Sequence, residues 1–162
     1  MSNSQNSASQ NPAEMSLPII VRAQYIRDLS FENPNPLTIF TSDSEIQPNI
    51  GVSVQAKAQN LGERNFEVVL DIKVEAKREE DTMFVAELSY AGVVTVANEV
   101  EEINLNRFVM VEAPHLLFPY ARNIISDMTR DGGYPPLMLS PVDFAALFHQ
   151  QAQPQQSQAT IN

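Results

Sequence analysis

Phe66-Glu67-Val68-Val69-Leu70-Asp71-Ile72-Lys73-Val74-Glu75-Ala76-Lys77 is the stretch whose reading decides the fold. Its even positions (Phe66, Val68, Leu70, Ile72, Val74, Ala76) are apolar. Its odd positions are charged, with Val69 the one apolar exception. Side chains of a strand point alternately to opposite faces, so this pattern predicts an antiparallel strand with one face buried and the other wet. The same two-residue period extends outward, to Ile50–Ala58 on one side and Met83–Tyr90 on the other. The polar connectors 60–65 and 78–82 are short enough for hairpins. Upstream, Leu17–Phe31 supplies a fourth strand, with Ile19, Val21, Ala23, Tyr25, Leu29 and Phe31 on its apolar side. Four strands of this kind form an antiparallel meander or a Greek key.

After Asn98 the period changes to that of a helix, weakly over Glu99–Val111 and clearly over Pro114–Arg130. There Leu117, Ala121, Ile124, Ile125 and Met128 follow the i, i+3, i+4, i+7 spacing of an apolar stripe, and Gly132-Gly133 supplies a stop. Pro119 either kinks this helix or begins its regular part. Ser140-Pro141-Val142-Asp143 signals a last helix, with Ser140 as N-cap, carrying Phe144, Leu147 and Phe148 on one side. Strands first and helices last make an α+β domain.

Both ends differ from this middle. Residues 1–16 are mostly Ser, Asn and Gln with Glu14 the only charge, and residues 149–162 hold six Gln and no Asp, Glu, Lys or Arg. Such stretches bury too little apolar surface to offset the entropy of ordering, so they are expected to be tails flanking a folded unit over 17–148. The chain has 162 residues and a formal charge of -10, and nearly all of that charge falls inside the folded unit. An acidic surface repels a phosphate backbone, which disfavours nucleic acid as a partner. The absence of Cys excludes disulfides, thiol nucleophiles and Cys-ligated zinc. No apolar run nears the roughly 20 residues that a spanning helix needs, and the N-terminus lacks a basic start and an apolar stretch, so a cytoplasmic location without membrane insertion is expected.

Chemistry is scarce. His115 and His149 stand in no metal-ligand spacing and no Ser/His/Asp pattern, and Gly132-Gly133 is too short for a phosphate loop. The reading is a non-enzymatic protein with no cofactor and no metal. Two segments are instead rich in apolar side chains for irregular connections. Residues 33–49 carry Leu37, Ile39, Phe40 and Ile46 among three prolines, and residues 131–141 carry Tyr134, Leu137, Met138 and Leu139. Together with Phe144, Leu147 and Phe148 they suggest an apolar groove or a subunit interface.

Four blocks make the reading specific. They are Tyr25–Asn35 (YIRDLSFENPN), Phe66–Leu70 (FEVVL), Leu117–Arg122 (LFPYAR) and Leu139–Phe148 (LSPVDFAALF). In residues and order they resemble the SecB family of protein-export chaperones, across most of the folded unit. The resemblance implies a four-stranded antiparallel sheet followed by two helices, assembling as a homotetramer, a dimer of dimers. Ile124, Ile125 and Met128 of the long helix would then lie partly between subunits. It implies an ATP-independent chaperone that holds unfolded precursor proteins in grooves formed by the segments named above. It also implies a SecA docking patch on the wet sheet face, falling on Asp28, Glu32, Val85 and Glu87. A SecB-like adaptor for one dedicated client, such as a toxin-antitoxin component, is the alternative the same fold would serve. Where better-known members carry a Trp in the crossover loop this chain has none, and Ile46 stands there.

Overall fold

A computed structural model of the chain describes residues 17–43 and 45–152; both ends read as tails therefore lie largely outside the described residues. The strands are β1 (Ile19–Glu32), β2 (Asn49–Gly62), β3 (Asn65–Arg78) and β4 (Asp81–Val96). They form one antiparallel sheet in the order β1-β4-β3-β2. Hairpins join β2 to β3 and β3 to β4, while β1 reaches its place beside β4 through the long 33–48 crossover. Of the two topologies open to the sequence, this is the Greek key.

The deciding stretch alternates as its pattern requires. Phe66, Val68, Leu70, Ile72, Val74 and Ala76 are all buried on the inner face, and Lys73 and Lys77 are exposed. Val69 is buried as well, on the outer face, which accordingly carries an apolar strip among its charges. In β1 the register slips at Val21/Ala23 and again at Ile26/Asp28. Such bulges shift the side-chain period by one residue, and they correct the reading of this strand. Tyr25 pairs with Ala91 and points outward, where its hydroxyl donates to Glu67, while Ile26 takes the inner position opposite Tyr90. Ala23 is turned outward likewise.

The crossover is not wholly irregular: it contains a short helix, α1 (Pro36–Thr41), with Pro at its start and Ile39 turned into the core. The second half is α2 (Glu102–Arg107), a π-helical turn (Phe108–Glu112) and α3 (Ala113–Asp131), which follow one another without a break. Pro119 lies inside α3, so the helix neither starts there nor is confined to the segment after it. Its inner stripe, Leu117, Phe118, Ala121 and Ile125, is buried against the sheet, mostly against β4. The approach is close at Gly92, where a Cβ would meet Leu117 Cδ2 at 2.6 Å.

Arg64, held in the left-handed region at the β2–β3 turn, ties that turn to the start of the helical half. Its Nη1 lies 2.6 Å from Glu102 Oε1 and its Nη2 donates to the Val100 carbonyl at 2.6 Å. The Gly132-Gly133 stop holds: Gly132 N–H donates to Met128 O at 2.8 Å, and Gly133 turns the chain at φ +93°.

The last helix, α4 (Phe144–Ala152), begins later than Ser140-Pro141 suggested and runs four residues past Phe148. Its N-terminal cap is Asp143, whose Oδ1 accepts from the Ala146 N–H at 2.9 Å. Residues 137–143 have no regular structure instead, and Leu139 is tucked into the core.

Candidate polypeptide-binding troughs and a charged sheet face

A line of rings organises the first surface. Phe31 stacks on Phe84 at 5.5 Å between centroids, Phe84 meets Tyr134 at 4.9 Å, and Tyr134 meets Phe40 at 5.1 Å. This row runs from β1 and β4 through the loop after α3 to α1, and so brings the crossover and the interhelix loop together. The Tyr134 hydroxyl fixes the arrangement. It lies 2.9 Å from both Asn33 Oδ1 and the Met83 carbonyl, and burial pushes its phenol pKa up. Glycine is required beside it, since a Cβ on Gly132 would strike the Phe31 ring at 2.3 Å.

Where the row reaches the surface, a depression of about 390 Å³ opens between Phe40, Ile46, Pro48, Arg78, Tyr134 and Pro135. Phe40 and Ile46 are half exposed, at 51% and 49%, whereas Ile39 and Tyr134 form its floor and are buried. A second depression, of about 420 Å³, is walled by edge strand β2 in place of the crossover. It lies between Val52 and Val54 of β2 and Leu139, Pro141, Val142 and Leu147. Of the groove residues expected from sequence, these two troughs gather Ile39, Phe40, Ile46, Tyr134, Leu139 and Leu147.

The others are placed differently. Leu37 and Met138 are exposed, at 80% and 61%, and line neither trough. Leu137 and Phe148 are partly buried against the core. Phe144 is a correction: at 1% exposure, edge-on to His115 and Phe118, it closes the core and offers no surface to a ligand. Val52, Val54, Val142 and Arg78 were missed. Val52 and Val54 belong to the alternating face of a strand read as core, and only the edge position of β2 leaves them open.

The outer sheet face is the second surface. Register places Glu32 opposite Val85, Ser30 opposite Glu87 and Asp28 opposite Ser89, so Asp28, Glu32, Val85 and Glu87 share one patch, as the sequence suggested. Charges fill the face beside it. Lys57 Nζ lies 2.6 Å from Asp71 Oδ2, Ser89 donates to the other oxygen, and Arg27 pairs with Glu67 at 3.4 Å. Burial alone would raise the Asp71 pKa, but the Lys57 and Ser89 hydrogen bonds outweigh it and hold the carboxyl below its ordinary 3.8.

A third surface is apolar and lies along the inner face of β1 and the flank of α3. Ile26, Leu29, Leu116 and Tyr120 are 43–54% exposed. Tyr120 sits beside Tyr90, whose phenol is pushed up by burial first and by Tyr120 second. Ile124 and Met128 are partly buried, but Ile125 is fully buried under the helix of its own chain, which corrects its expected place between subunits.

A four-stranded Greek-key sheet, helices on one face and apolar troughs between the loops define the SecB-like class of fold. The solved structure of the Mycobacterium tuberculosis SecB-like chaperone Rv1957, in complex with a ChAD peptide from the Rv1956 HigA1 antitoxin, has this fold. It matches with a TM-score of 0.64 over 77% of this chain and 91% of that one, at 13% identity. Residues 11–155 match the family model of SecB, the preprotein translocase subunit. The protein-export protein SecB of Rhodospirillum centenum is 43% identical over 149 residues, 92% of this chain and 88% of that protein. That of Maricaulis maris is 44% identical over 152 residues, 93% and 87% of the two chains. The chain belongs to the SecB family.

Proposed function

We propose that this protein is an ATP-independent export chaperone of the cytoplasm that holds unfolded precursor proteins and passes them to the SecA motor. The observation that carries the holding step is the pair of half-open apolar troughs, one between the crossover and the interhelix loop and one between β2, the interhelix loop and α4. Their exposed members, Phe40, Ile46 and Val52, are ordinary aliphatic and aromatic surface, able to take side chains of many sequences. An unfolded chain offers such side chains along its length and a folded one does not. Binding by burial of apolar area alone requires no nucleotide.

The grouping of Asp28, Glu32, Val85 and Glu87 on the outer face supports docking of SecA there, away from the troughs. The exposed stripe of Ile26, Leu29, Leu116 and Tyr120, with Ile124 and Met128 at its margin, supports assembly into a homotetramer through α3. Among the described residues no helix is long and apolar enough to cross a membrane.

The test is refolding of a chemically denatured precursor diluted into the full-length protein without nucleotide. Slowed refolding and suppressed aggregation at one tetramer per client are expected; refolding at the uncatalysed rate would reject the proposal. Recovery of bound proteins from cells then reports the breadth of clients. Many unrelated precursors are expected, and a single dominant partner would mark a dedicated adaptor instead.

A further inference from the structure

On the outer face β3 sets Lys73 directly opposite Glu87, with its ammonium 2.9 Å from Glu87 Oε1. Two residues along β3 on the same face, Glu75 opposes Val85, and Val85 in turn opposes Glu32 of β1. One ammonium therefore faces three carboxylates drawn from three strands. Glu87 first, then Glu75 and Glu32, raise the Lys73 pKa, so it is charged throughout the physiological range. Beside it lies a shallow depression of about 300 Å³ walled by Asp28, Asp71, Glu87, Ser53 and Ser89. The other cations near this patch have carboxylates of their own: Lys57 holds Asp71, Arg27 holds Glu67 and Lys77 holds Glu75. Asp28 and Glu32 have no ion-pair partner among the described residues.

We infer that Lys73 is a built-in counter-ion of the docking face, covering Glu87 in the free protein and giving it up to a basic side chain of the docking partner. The inference rests on the docking reading given above and adds to it a residue that sets the strength of the contact. The pair suits exchange. Lys73 and Glu87 are 56% and 47% exposed, and such pairs are held weakly enough to open on encounter. Glu87 released from Lys73 is a free carboxylate next to Asp28 and Glu32, and the patch gains a unit of negative field towards a positively charged partner. Lys73 thus restrains an affinity that the carboxylates alone would make higher. Its place on the wet face, away from both troughs, leaves client holding untouched.

The experiment measures equilibrium binding of purified SecA to the full-length protein, at low and at high salt, for the wild type, Lys73→Met, Lys73→Gln and Glu87→Lys. Both Lys73 variants should bind about two- to fivefold more tightly at low salt, the range expected for one exposed ion pair. The gain should shrink at high salt, because it comes from charge. Glu87→Lys should bind more weakly. Unchanged or weaker binding in the Lys73 variants, or a gain indifferent to salt, overturns the counter-ion role while leaving the docking patch in place if Glu87→Lys is weakened. Unaltered binding in Glu87→Lys overturns the docking patch itself.

Discussion

At the scale of single residues, a few side chains fix where the surfaces lie. Tyr134 carries the interhelix loop through one hydroxyl, which faces Asn33 and the Met83 carbonyl from a buried position. Tyr134→Phe keeps the ring stack and removes only the hydroxyl, so the stability lost should be about 1–2 kcal/mol, read as a lower urea midpoint. Asp71 gives a pH-dependent term of known sign. Its folded pKa lies below the unfolded value of 3.8, so its contribution is present at neutral pH, begins to fall near pH 4 and is lost as pH drops through the folded pKa. Asp71→Asn should therefore be less stable than the wild type at pH 7 and equal to it near pH 2, when compared by thermal melting. Equal stability at both pH values would show that the Lys57 and Ser89 contacts hold nothing. Neither residue could be singled out from sequence. Tyr134 was one apolar loop residue among several and Asp71 one of many strand acids, and their roles arise from what the fold places opposite them.

At the scale of elements, α3 on the sheet is the main packing contact outside the strands. Leu117 is fully buried there, so Leu117→Ala should cost about 2–5 kcal/mol. Gly92→Ala alone should cost about 1–3 kcal/mol by pressing a methyl into Leu117. The double variant should lose less than the sum, since the cavity left by Leu117 accepts the methyl; additive losses in denaturant midpoints would place the strain of Gly92→Ala elsewhere.

Legibility followed the same physics. β3 could be read at sight because it sits inside the sheet with one wet face, so every second residue over twelve is apolar and buried, with Val69 the one departure on the wet side. β1 was misread at Ala23 and Tyr25 because a bulge is set by pairing with β4, which no local pattern reveals. The start of α4 moved from Ser140 to Asp143 for a similar reason. Both residues can cap, and burial of Leu139 holds the chain out of the helix past the first of them. The six-residue α1 is too short to show a helical period at all.

For the whole molecule, the surfaces divide the work. Apolar troughs lie along the interhelix loop, one against the crossover and one against β2, charge covers the outer face of the sheet, and an apolar stripe runs beside β1 and α3. The third surface predicts the assembly. Light scattering of the full chain should give the mass of four copies, and Tyr120→Glu, which sets a charge in the exposed stripe, should reduce it to dimers or monomers with little change in the fold. A tetramer indifferent to that change would place the interface elsewhere. The net charge of -10 then has a place: it keeps apart particles whose troughs must remain uncovered.

The central claim is that the troughs hold unfolded polypeptide, and the most direct measurement is a nucleotide-free titration of a permanently unfolded precursor into the full-length wild type and into Phe40→Ala and Val52→Ala. Tight binding to the wild type is expected, weakened about fivefold or more in each variant at unchanged thermal midpoint, because each removes an exposed anchor from one trough. Variants that bind like the wild type would contradict the account.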